Sequence, residues 1–326
     1  MLSHLRAHPC FFTFRSVKSA SSSSAYCTPA SSWIRIKVDQ QKFQNRGATM
    51  GFFDKIKVAV GIGGAKVSFN VEPDQEIRQN GYFEGEVVLR GGNVEQKLTE
   101  LTLDVIQTET WAEIHEETYV DHFDGDVEAH VHEHQRERST TVHKMVIADE
   151  QVILPEEEYV FPFEITIPEN APITTETVSW KLWTNADIPG ALDPSAAFHF
   201  KVLPSPAVNA FDRVMEDFGF EQADYGNEDD FEGIWVDYSP LGEMRRHFDL
   251  IEASFWNEDG DLQVELKLDL QEHSMFDALG SMLGADKRTV NLSLPGESLF
   301  RNSDRSEPDM EYIKERLQEI FSHFSK

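Results

Sequence analysis

The sequence predicts a mainly β protein: a β-sandwich over residues 50–204, a linker helix with an acidic loop over 205–232, and a second β-rich domain over 233–326 that ends in a helix. Three observations predict it. Apolar and polar residues alternate in many short runs between 65 and 203, as in strands with one buried face. One stretch, from Val208 to Phe218, changes to a spacing of three and four. Alternation then resumes at Ile251, in two runs separated by an acidic turn.

Each element follows from its own residues. In "LTLDVI", Leu101, Leu103 and Val105 share one face. In "YVFPFEITIP", Tyr159, Phe161, Phe163, Ile165 and Ile167 alternate with Glu158, Pro162, Glu164 and Thr166. "VSWKLW" groups Val178, Trp180 and Leu182, and "AAFHFKVLP" groups Phe198, Phe200 and Val202. "RGGN", "DGD", "PEN" and "DIPG" punctuate these runs with turn residues. Short strands at this spacing point to a sandwich. Val208, Phe211, Val214, Met215 and Phe218 then form a helical face that stops at Gly219. The acid-rich "EQADYGNEDDFEG" reads as a loop. Ile251, Ala253 and Phe255 alternate into the turn "NEDGD", and Leu262, Val264, Leu266, Leu268 and Leu270 alternate out of it. In the last helix, Ser306 and Asp309 suit an N-cap box and Pro308 the first turn; Met310, Ile313, Leu317, Ile320 and Phe324 form a stripe that docks onto its own domain.

Charge divides the chain. It carries 29 basic and 58 acidic residues, net −29. Residues 1–49 hold Arg6, Arg15, Lys18, Arg35, Lys37, Lys42 and Arg46 against one acid, Asp39, which leaves 22 basic and 57 acidic residues in 50–326. Both cysteines, Cys10 and Cys27, also fall in 1–49, so the acidic part can hold neither a disulfide nor a thiolate-bound metal. Two readings of 1–49 stand. Its serine-rich, basic composition is that of an organellar transit peptide. Alternatively the start codon is set too early and translation begins at Met50, the favoured reading; in both, 1–49 is expected outside the fold. "CFFTF" is too short for a secretory core, and no run of about 18 apolar residues is present. The acidic part is expected to repel nucleic acid and anionic lipid and to stay in the cytoplasm without membrane insertion, the organellar reading being the alternative.

Conventional catalytic signatures are missing: no nucleophile elbow, no HExxH, no phosphate loop. "GIGGAK" at 61–66 precedes a strand and reads as a flexible lead. "NEDGD" lacks the ligand order of a calcium loop. The sequon at Asn291 matters only in a secreted protein. No catalytic residue and no cofactor are therefore expected.

The stretch "DVEAHVHEHQRERSTTVH" is the one candidate metal site. If it is a strand, Val127, Ala129 and Val131 face one way, the buried one, and His130, His132 and His134 the other. Same-face neighbours are roughly 6.6 Å apart and the outer two roughly 13 Å. With Zn–N bonds of about 2.0 Å, two neighbours can share an ion but a third in line cannot, so another strand must supply it. His115, His122 and His143 are the candidates, depending on register. With no ligand set specified, the expectation is a solvated hairpin face and no structural metal.

Several stretches together resemble the sporulation-control proteins of the sporulation-zero-M type, within the arrestin-like superfamily. "MGFFDKIKVAVGIGGAKV" at 50–67 is similar to that family's start, "VSWKLWTNADIPGALDPSAAFHFKVLPSP" at 178–206 to its central segment, and "NAFDRVMEDFGF" to the helix after it. "PLGEMRRHFDLIEASF" and "LQVELKLDLQEHSMFDALGSMLGADKRTV" resemble its second half. The resemblance covers most of residues 50–295. It implies an arrestin-like pair of β-rich domains that acts in regulation through protein contacts, with no established enzymatic activity. The reading drawn from it is a non-enzymatic regulatory or scaffold protein that binds an unidentified protein partner through sheet edges, loops or the interdomain groove, since edge strands offer unpaired backbone groups. The alternative is a metal-binding β-sandwich protein that uses the hairpin 115–143.

Overall fold

The structure, a computed structural model, describes residues 64–72, 77–113, 134–229, 232–271, 287–303 and 305–323 in full and the backbone of 35–38, 114–120 and 127–133. Ser32–Lys326 form one compact unit. Two sheets make its first half. One holds β1 (Arg35–Val38), β2 (Lys66–Asn70), β4 (Tyr82–Arg90) and β7 (Glu158–Thr166) in the order β1-β7-β4-β2. The other holds β5 (Gln96–Val120), β6 (Val127–Ile153), β8 (Val178–Asp187) and β9 (Ser195–Phe200) in the order β6-β5-β8-β9.

The period of two decides which residues meet between these sheets. Phe83, Val87 and Leu89 of β4 and Phe161, Phe163 and Ile165 of β7 face Leu101, Leu103 and Val105 of β5 and Val178, Trp180 and Leu182 of β8 in one buried core. Aromatic rings knit it: Phe83 lies 5.7 Å from Phe163 and 5.7 Å from Phe200. The run expected to continue through Val202 breaks at Lys201. Val202–Leu203 becomes β10, which pairs in parallel with β3 (Ile77–Arg78). Beside that pair the buried Gln79 amide donates to the Ala171 carbonyl (2.7 Å) and accepts from the Ser205 amide (3.2 Å).

The second half is a five-stranded antiparallel meander: β11 (Phe220–Asn227), β12 (Ile234–Pro240), β13 (Phe248–Glu258), β14 (Asp261–Leu270) and β15 (Lys287–Leu294). Two helices share its core, α1 (Pro206–Asp217) and α2 (Met310–Phe321). The Ser205 hydroxyl caps α1, and Gly219, at φ +86°, takes the left-handed turn that lets the chain leave it. Asp259 and Gly260, both at positive φ, make the tight turn between β13 and β14. Ile313, Leu317 and Phe321 bury one side of α2, and the Phe321 ring sits 5.2 Å from Phe218 and 5.5 Å from Phe220.

Several expectations need correction. Arg35–Val38, from the segment expected outside the fold, adds to the edge of β7, with Ile36 and Val38 in register with the buried Ile165 and Phe163. The acidic loop is strand β11 over Phe220–Asn227, whose exposed residues Glu221–Tyr225 disguise an edge strand. Helix α1 is no free linker, since its apolar face belongs to the second core. At α2 the cap is Asp309 alone, with Pro308 before the helix, and the stripe runs through Phe321. Phe324 and residues 51–63 lie outside the described residues.

Candidate interaction surfaces

Strand β6 occupies the rim of its sheet, and among the described residues no strand pairs with its outer side. Its register against β5 shifts at Leu101/Thr102 and again at Val105/Ile106. The first shift leaves Ile147 as an extra residue, so Ile147 and Ala148 are both buried although adjacent. Several apolar side chains here face solvent: Val146 is 43% exposed and Val152 51%, with Leu154 (39%) and Val94 (64%) also open. An edge with unpaired backbone groups and exposed apolar residues is a template for another strand.

Beyond Val178, the last residue of β8 in register with β5, β5 and β6 continue as a two-stranded arm. Cross-strand pairs fasten its base. Arg138 donates to Glu109 and Arg136 to Glu113, both at 2.6 Å, and the Thr108 and Ser139 hydroxyls meet at 2.8 Å. Trp111 stands 46% exposed beside them.

The candidate histidines divide between this arm and the sheet. His115 lies in register opposite His132, Glu117 opposite His130, and Glu113 opposite His134. His134 is exposed. His143 pairs with Val105 inside the main sheet, nine residues and about 30 Å of strand from His134. It is therefore too far to join the others. His122 lies outside the described residues, as do the side chains of Val127, Ala129 and Val131, whose burial was expected. Among the residues whose side chains are described, no group of three or more His, Cys, Asp or Glu could hold an ion.

The two halves meet along Glu169–Ile173. Asn170 donates to the Asn257 carbonyl (2.9 Å) and its side-chain oxygen accepts from the Asn257 amide (2.8 Å). Asn227 makes the same two-way bond with the backbone of Ile173, at 2.7 and 3.0 Å. Arg305 donates to Glu169 at 2.9 Å. The seam between the halves is thus stitched by side chains that reproduce strand-like pairing. Sequence reasoning missed these asparagines, because Asn170 sits in "PEN", which reads as a turn and carries no sign of a partner across the seam.

The one strongly perturbed acid is internal. Asp212 of α1 accepts from the Tyr238 hydroxyl of β12, and burial pushes its carboxyl up to about 6. Burial next to Asp212 drives Tyr238 well above its ordinary range. Tyr238 is 1% exposed and Asp212 half-buried, so the pair ties helix to sheet.

Residues 53–272 match the SpoOM protein family. The sporulation-control protein spo0M of Bacillus subtilis (strain 168) is 26% identical over 294 residues, 85% of this chain and the whole of that protein. The crystal structure of Spo0M from Bacillus subtilis superposes with a TM-score of 0.54 at 21% identity, covering 81% of this chain and all of that one. These likenesses agree with a β-rich fold that ends in a helix. No described helix is long and apolar enough to cross a membrane.

Proposed function

We propose that the chain, which belongs to the SpoOM protein family, is a non-enzymatic regulatory protein of the cytoplasm that acts by binding another protein along the outer edge of β6, an arrestin-like use of a two-sheet scaffold. The observation that carries this reading is the open β6 rim with Val146, Val152 and Leu154 turned to solvent. Long unpaired edges invite association, so a protein that keeps one with apolar residues on it has a use for it. The relative's name, sporulation control, supports a regulatory role. The acidic balance of the chain supports a protein partner over nucleic acid.

The test compares the untagged full chain, immobilised as bait in lysate of its source organism, with Val146→Lys/Val152→Lys. Lysine on an edge blocks strand addition and costs little where the side chain is already exposed. The expected result is a discrete partner held by the wild type and lost in the variant, with the melting temperature unchanged. Identical capture by both proteins contradicts the reading.

A further inference from the structure

The arm of β5 and β6 poses a physical problem. Past Glu109 it has two strands, and an isolated two-stranded ribbon is marginal in water. The ion pairs of Arg136 and Arg138 hold its base, but the ladder runs on to Val120 and Val127. Along this outer part the register sets His115 opposite His132, with Glu117 opposite His130 and Glu113 opposite His134. With a period of two, these six positions fall on one face of the ribbon.

The spacing matters because one strand alone cannot surround an ion. Positions two apart on a strand are roughly 6.6 Å from one another, and directly opposed positions have Cβ atoms about 4.5–5.5 Å apart. Two histidine positions along β6 and one across on β5 form a triangle of the size that three bonds of about 2.0 Å can close. The partner strand that such a site requires is present, and it brings a histidine to the opposing position. Imidazole donors favour zinc, nickel or copper over calcium or magnesium.

We infer that the cross-strand position His115/His132, flanked by His130 and His134, is a binding site for a single divalent transition-metal ion of the zinc class, which clips the two strands of the arm together. A clip there closes the sixteen residues between the two histidines and couples ion binding to pairing of the tip. The inference is independent of the β6 rim, which lies at the other end of the strand.

The experiment uses full-length protein without a histidine tag, stripped with chelator and titrated with Zn²⁺ by calorimetry. His115→Gln and His132→Gln are compared with His143→Gln, whose histidine sits in the main sheet. One ion per chain is expected, with affinity at least tenfold weaker in each of the first two variants and within twofold of wild type in the third. Amide exchange over residues 114–131 should slow when Zn²⁺ is added to the wild type and not to His115→Gln. Absence of saturable one-to-one binding overturns the inference. So does affinity unchanged in His115→Gln or His132→Gln, or weakened equally in His143→Gln, either of which marks scattered surface histidines.

Discussion

Trp180 joins the first core to the seam between the halves. Its ring is 3% exposed and lies 6.1 Å from Phe200, and its indole N–H donates to the Pro172 carbonyl at 3.0 Å. Trp180→Ala should cost about 3–5 kcal/mol in urea unfolding, since it opens a cavity and strips that carbonyl of its donor. An unchanged unfolding curve contradicts the packing. Asp212 gives a second prediction. Its native carboxyl is raised from 3.8 to about 6, chiefly by burial. Between those values the folded protein keeps a proton that the unfolded chain has released, so stability falls as pH rises through the window. Asp212→Asn keeps an acceptor for Tyr238 but cannot ionise. Wild type should therefore lose about 2–3 kcal/mol relative to the variant between pH 4 and 7, at about 1.4 kcal/mol per unit. Parallel stability profiles for the two proteins count against it.

At the level of elements, β1 covers one edge of β7 and the asparagines stitch the halves. Deleting residues 1–49 should speed hydrogen exchange at the Phe163–Thr166 amides that face β1 and leave β4 unaffected. No change there contradicts the pairing. Asn170→Ala with Asn227→Ala removes the bonds to Asn257 and Ile173 at the seam, which should split one calorimetric unfolding transition into two. A single sharp transition in the double variant contradicts the stitched seam. The sequence made β7, β8, β13 and β14 legible because each buries alternate residues, and burial writes the period into the composition. It hid β11, whose Glu221–Tyr225 are all exposed, and β1, which lies in a basic, serine-rich segment. The length and pairing of the β5–β6 arm were equally hidden, because register is weakly written where neither face of a ribbon is fixed by a core. The histidines themselves were visible; which positions the register sets opposite one another was not.

At the scale of the molecule, helices cover one face of the five-stranded sheet and two sheets cover each other, while among the described residues no strand pairs with the outer side of β6. The net charge of −29 opposes the close approach of two copies of the chain. The most direct measurement places a photo-crosslinking amino acid at Val152 on the rim or at Leu192, which is 90% exposed in the β8–β9 loop. Both proteins are irradiated in lysate of the source organism. A discrete adduct from position 152 and none from 192 is the expected result; adducts of the same proteins from both positions, or from 192 alone, contradict the β6 edge as the partner site.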